Sequence, residues 1–164
     1  IKVPCSVMLN SGKFSTVFYK INGHRLLDPF DVSVWVDANI KIRGRMSTFL
    51  SNLDFMSSAI FVNKHLSRNC IYDEAVAIVE RGICNYDDLE PYINKIKSAN
   101  FPVQFGLHET TCLIRLIHDP KVNSAMSLWW SEFKNGVYRD QLYFDYVRWQ
   151  LNLVVYDTGY SYRN

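Results

Sequence analysis

Three short apolar runs rich in β-branched residues, 32–37, 59–62 and 110–117, are separated by longer stretches whose apolar residues recur at helical spacing. This alternation constrains the fold more than any other feature, because strands interleaved with helices bury their apolar faces best as one sheet covered on both sides. It predicts an α/β fold with a mostly parallel central sheet flanked by helices. The run Val32-Ser-Val-Trp-Val-Asp37 has the continuous apolar character of a buried parallel strand. At 164 residues the chain suits a single domain spanning 1–164, long enough to bury a core without disulfides or metals.

Between the strands, helical spacing covers Phe14 to Leu27, Met46 to Ala59, Tyr72 to Cys84, Asp87 to Ala99, Val122 to Phe133 and Arg139 to Leu151. Asp28-Pro29 and Phe101-Pro102 break helices, since the residue before proline is driven out of the helical region. Asn135-Gly136 reads as a helix C-terminus, Asn63 to Cys70 as a polar loop and His118-Asp-Pro120 as a turn. Residues 2–9 have the makings of a strand or an incoming arm, and the tail 160–164 has no evident partner. The chain begins at Ile1 without an initiator Met, so a processing boundary with N-terminal elements beyond it is expected.

Composition removes several functions. Eighteen Lys/Arg against sixteen Asp/Glu leave a formal charge of +2, too little to argue for nucleic acid or an anionic membrane surface. No stretch of about 18 apolar residues is present to cross a membrane. Cys5, Cys70, Cys84 and Cys112 form no C-x-x-C pair and no zinc spacing with a histidine, so they read as reduced thiols and point to a reducing compartment. Aromatic residues make up 15% of the chain, fitting an aromatic core or flat faces for sugar rings.

Chemistry concentrates at the strand end Asp37-Ala38-Asn39. Ligands of open α/β sheets bind beyond the carboxyl ends of the strands. Asp37 and Asn39, two positions apart, can present two oxygens to a hard cation such as Mg²⁺ or Mn²⁺. They can equally be turn residues, with Asp37 as a cap and Asn39 left-handed. Arg139 has the planar fork that suits diphosphate oxygens. Asp140 is either a first-turn carboxylate favoured by the helix dipole or a general base for an acceptor hydroxyl. His108 and Glu109 precede the third strand, where they would line an acceptor side. Trp129 and Trp130 point about 100° apart on one helix, so one packs in the core while the other, with Tyr138, is free to stack on a sugar. Asp73 and Glu74 open a helix and read first as dipole partners, and His118 as a structural histidine before a metal ligand.

Taken together, Tyr19-Lys20, His24-Arg25-Leu26-Leu27, Asp31-Val-Ser-Val-Trp-Val-Asp37-Ala-Asn-Ile, Arg68-Asn-Cys-Ile-Tyr72-Asp-Glu74-Ala75, Leu113-Ile-Arg115, Leu128-Trp-Trp130-Ser-Glu132 and Arg139-Asp140-Gln141 follow one another in a characteristic order. This series resembles the hexosyltransferase-like family of plant Golgi proteins, bacteria and large algal (chlorella) viruses, a branch of the nucleotide-sugar transferases of the glycosyltransferase A fold. The resemblance covers roughly 17–150. It implies a metal-dependent glycosyltransferase taking a nucleotide diphosphate sugar, a UDP-sugar, to a glycan hydroxyl. It implies donor contacts from Lys20, Arg68, Asp37 and Arg139, Mn²⁺ or Mg²⁺ held at Asp37 and Asn39, Asp140 as catalytic base, and an acceptor side at His108, Glu109 and Trp130. Two departures stand out. Asn39 replaces the usual second acidic residue of the Asp-x-Asp motif, and the family's first strand and uracil-binding loop should precede residue 10.

A different class competes: a non-catalytic sugar- or nucleotide-binding module with the same fold, favoured by Asn39. A metal-dependent phosphotransferase or hydrolase is a third option, weakened by the lack of a Walker-type glycine loop.

Overall fold

The computed structural model describes residues 12–159, and the expectations for 2–9 and 160–164 lie outside them. In chain order the elements are α1 (Gly12–Asn22), a 3₁₀ turn (Gly23–Leu26), β1 (Val32–Val36), α2 (Met46–Ser51), β2 (Ile60–Lys64), α3 (Ile71–Glu80), α4 (Tyr86–Ser98), β3 (His108–Leu116), α5 (Pro120–Lys134) and α6 (Gln141–Gln150).

The three apolar runs do become neighbouring strands of one sheet, in the order β1-β3-β2. The expected parallel arrangement is corrected: β3 lies in the centre and runs antiparallel to both neighbours. The cause is the β2–β3 connection. One crossover helix would carry the chain to the opposite end of the sheet and make the strands parallel. Here α3 and α4 together return it to the end where β2 stops, so Lys64 pairs with His108. One sheet edge therefore gathers the carboxyl ends of β1 and β2 and the amino end of β3. The β2–β3 register slips between Val62, opposite Leu113, and Asn63, opposite Glu109. The residues Thr110 to Cys112 bulge out of that ladder, and Asp37 is tied to the bulge by its N–H, which donates to the Thr111 carbonyl at 2.8 Å.

The strand period of two sorts side chains between two cores. Ile60, Val62 and Leu113 face the larger helical layer, with Ile21, Ile78, Ile96, Met126, Trp129 and Phe144 buried among them. Phe61, Cys112 and Ile114 face the other side, where Phe49, Leu50, Leu53 and Phe55 cover them. The helix expected over 46–59 stops at Ser51. Asp54 ends it: its carboxylate accepts from the Met56 N–H at 3.0 Å and from the Ser57 hydroxyl, giving the backbone a turn in place of further helix.

α5 begins at an Asp119 cap that accepts from the Val122 N–H at 2.9 Å, with Pro120 in the first turn. Val122, Ala125, Met126, Trp129 and Phe133 form its buried stripe. After α5, Gly136 is required for a reason other than a left-handed turn. A Cβ there would run into the hydroxyl of the fully buried Tyr143, which donates to the Val137 carbonyl at 2.9 Å.

Candidate active site

At the shared sheet edge, α1, β1 and the start of α6 bring three charged side chains together. The Lys20 ammonium lies 2.7 Å from Asp140 Oδ2 and 3.5 Å from Asp37 Oδ1. With Thr16, Val17, Trp35, Ala38 and Tyr138 they line a cavity of about 370 Å³. Lys20 is almost fully buried, while the Asp37 side chain keeps 31% of its surface exposed at the mouth. Trp35 Nε1 donates to Asp37 Oδ1 at 2.7 Å. Thr110 Oγ1 donates to Asp140 Oδ2 at 3.1 Å. Burial works to raise the Asp140 pKa, but the Lys20 charge and hydrogen bond, with Arg139 and Thr110, hold it below the usual carboxylate value.

Asp37 does not cap its turn, while Asp140 keeps the helix-dipole position the sequence allowed it. Asp140 stands at the N-cap of α6 yet makes no side-chain capping bond. The Asp37 carboxylate goes to Trp35 and Lys20, whereas the turn is closed by the backbone bond from the Ile40 N–H to the Asp37 carbonyl, 2.9 Å. Asn39 is exposed on that turn and is not left-handed, which corrects the expectation for it as a turn residue.

Beside this cavity runs a second polar network. Glu74 is fully buried and accepts from Arg68 Nε at 2.7 Å on one oxygen and from Arg139 Nε and Nη2 at 3.0 and 2.8 Å on the other. Arg139 also donates to Gln141 Oε1 at 3.2 Å. The buried Gln141 Nε2 has no hydrogen-bond partner among the described residues. The His65 Nδ1 accepts from the Ser67 and Arg68 N–H groups at 3.2 and 3.0 Å. Its Nε2 lies 2.9 Å from Arg68 Nη2 and 3.9 Å from Glu109 Oε1.

Of the residues singled out from sequence, Lys20, Asp37 and Asp140 share one cavity, and Arg139 and Arg68 converge on Glu74 next to it. His108, Glu109 and Trp130 stay apart from that cavity. His108 is locked to the buried Asp145 by its backbone N–H at 2.8 Å and its ring Nδ1 at 2.6 Å, with Arg148 donating to the same carboxylate at 2.8 Å. This pair fastens the start of β3 to α6. Glu109 is buried at 2% exposure. Trp130 packs with Phe14 and Phe18 where α1 meets α5, with ring centroids 5.1 and 5.2 Å away. Its neighbour Trp129 is fully buried in the core and donates from Nε1 to the Asp140 main-chain carbonyl at 2.8 Å.

Sequence reasoning missed Glu74 and Arg115 as supports of the site, and left open which of Trp129 and Trp130 packs in the core. Glu74 looked like a dipole partner, and the signal that it is more was the presence of Arg68 six residues earlier. Arg115 has no local signal beyond being a cation inside an apolar strand. Fully buried, it donates through Nη1 to the Lys20 and Ile21 carbonyls at 2.9 and 3.0 Å and through Nε to Ser33 Oγ at 3.2 Å.

The donor set bears on the divalent cation implied by the resemblance. No group of three His, Cys, Asp or Glu side chains among the described residues could hold a metal by itself. Asp37 supplies oxygen donors at the cavity mouth, with Lys20 3.5 Å from one of them, whereas Asn39 is exposed on the same turn and is not among the lining residues. The set fits a cation shared with a bound diphosphate, which would contribute the remaining oxygens, and does not fit a resident one.

A cation thus stands between two carboxylates in a strand-end cavity, flanked by two arginines, and the class to which the chain belongs is that of glycosyltransferase-like domains. The chain belongs to the TOD1/MUCI70 glycosyltransferase-like domain family, which it matches over residues 7–159. No curated protein and no solved structure matches it. Among the described residues no helix is long and apolar enough to cross a membrane.

Proposed function

We propose that the domain transfers a sugar from a nucleoside diphosphate donor, a uridine one, to a hydroxyl of a glycan acceptor. The observation that carries this is the Asp37–Lys20–Asp140 cluster lining one cavity at the strand ends of a glycosyltransferase-like domain. Among the described residues Lys20 is the only cation lining that cavity, so it binds the donor's diphosphate there. Arg139 and Arg68, held side by side by Glu74, add positive charge on the same flank. Asp37 and Asn39 would hold Mn²⁺ or Mg²⁺ together with the diphosphate, and the ion, when bound, neutralises charge building on the leaving group.

Asp140 takes the proton of the acceptor hydroxyl in an inverting transfer. In the free protein Lys20 holds this carboxylate's basicity down. A diphosphate that draws the Lys20 ammonium toward itself relaxes that hold. Burial, the strongest influence on Asp140, then pushes its pKa upward, toward the range a general base needs. Donor binding thereby prepares the base, and the unloaded site holds it quiet.

Calorimetric titration with UDP in the presence and absence of Mn²⁺, followed by a donor-hydrolysis assay, tests the reading. UDP binding tightened by Mn²⁺, lost in Asp37→Asn, with slow hydrolysis of a UDP-sugar, is the expected result. Metal and nucleotide must strengthen each other by the same factor, since linkage is reciprocal. Binding without any turnover would identify the non-catalytic module instead, and no nucleotide binding would remove the donor site altogether.

A further inference from the structure

A larger cavity, about 780 Å³, lies next to the first and shares one wall with it, Tyr138. It is bounded by α4, the end of α5 and the segment that leads into α6. Its polar lining includes Asn85, Asp88, Lys95, Glu132 and Asn135. The volume is within the range of small-ligand sites, roughly 300–1,000 Å³. Gly136 also lines it, without a side chain because Tyr143 stands directly behind.

Building on the transferase reading, we infer that this second cavity is the acceptor subsite, that it takes a neutral, hydroxyl-rich oligosaccharide, and that Tyr138 is the platform on which the sugar nearest the reaction stacks. A sugar ring offers one face of C–H groups and a rim of hydroxyls, so it needs an aromatic surface beside hydrogen-bonding side chains. Tyr138 is 44% exposed, with its ring braced edge-on against Phe133 at 5.3 Å. The amide and carboxylate groups around it supply both donors and acceptors. A ring seated on Tyr138 stands between the two cavities, with its hydroxyls on the side of Asp140.

Charge decides between neutral and acidic glycans. In the second cavity Lys95 is spent on Glu132, both of whose oxygens it contacts at 2.6 Å, which leaves Asp88 uncompensated. A chain of uronates would meet net negative charge there, and like-charge contact is a strong means of rejection.

The test is a ¹⁵N NMR titration of the intact domain with UDP, with cellotetraose as the neutral probe and with tetragalacturonate as the acidic one. Cellotetraose should shift the signals of 82–85 and 132–138 and bind more tightly than tetragalacturonate. Tyr138→Ala should weaken cellotetraose by about tenfold, the loss expected for a stacked aromatic face, while Tyr138→Phe keeps it. Asp88→Lys, a change at an exposed position, should narrow or reverse the preference against tetragalacturonate. Cellotetraose shifts confined to another surface, no shifts at all, or equal binding by Tyr138→Ala would overturn the inference. If UDP perturbs the Lys20 cavity while the saccharide leaves the second one untouched, only the acceptor assignment falls. If UDP perturbs nothing, the transferase reading falls with it.

Discussion

The Arg115 guanidinium, fully buried in the central strand, donates to the main-chain carbonyl of Lys20 at 2.9 Å. Burial lowers its pKa to about 9, and no carboxylate is among its hydrogen-bond partners. What compensates the charge is the carboxyl end of α1, whose last carbonyls carry the negative end of the helix dipole. The sheet thus fixes the height of the helix whose Lys20 side chain enters the cavity.

Arg115→Leu should destabilise the domain by about 3 kcal/mol, because the Lys20 and Ile21 carbonyls and the Ser33 hydroxyl lose a charged donor inside the core. Arg115→Lys should recover less than half of the loss, since an ammonium cannot span these acceptors as a planar fork does. Urea melts of the three proteins check both statements.

Lys20→Met removes the counter-charge of Asp140. The Asp140 pKa is lowered in the native fold, so its contribution to stability is present above the unfolded value and lost as pH falls through the lower folded one. Without Lys20, burial dominates and the sign reverses. The variant should be weakest near neutral pH, and its deficit should shrink on acidification. Lys20→Met combined with Asp140→Asn should recover most of the loss at pH 7. A deficit that is constant from pH 7 to pH 4 would contradict this account.

Glu74→Gln keeps the shape of the clamp and removes its charge. Breaking a buried pair costs about 3–5 kcal/mol. Arg68 and Arg139 partly reach solvent, so about 2–3 kcal/mol is expected in a denaturant melt. The glutamine amide can accept on its carbonyl oxygen only, which should also loosen Arg139 and weaken UDP binding in calorimetry.

Gly136→Ala forces a methyl group against the Tyr143 hydroxyl and should cost about 1–3 kcal/mol, the range for overpacking a core. Paired with Tyr143→Phe, which removes the nearest clashing atom, the combined loss should be smaller than the sum of the single losses. A double-mutant cycle measures that difference.

The sequence carried the position of each element far better than its direction. The runs at 32–37, 59–62 and 110–117 are strands because β-branched apolar residues leave few other solutions for short segments. Whether β3 runs with or against β2 depends on how α3 packs on α4, and no local pattern in either helix encodes that. The site was legible in the same uneven way. Asp37 follows from a strand that must end somewhere polar. Arg115 was invisible, and Glu74 had only Arg68 nearby as a signal, because their other partners are brought to them by tertiary packing. Trp129 and Trp130 had equal claims in the sequence, and Trp129 is the one in the core, fully buried beneath Asp140.

The outer edge of β2 is not left open: Tyr156 lies beside Phe61 in a parallel bridge, accepting from the Val62 N–H at 3.0 Å and donating to the Ile60 carbonyl at 3.2 Å. Residues 60–62 therefore wait for residue 156 before their backbone groups are paired on that side. On the ribosome β2 emerges early and the segment that seals it emerges after the last helix. Through that interval the strand lacks its edge partner, and a bare apolar strand edge is the kind of surface that pairs with neighbouring chains.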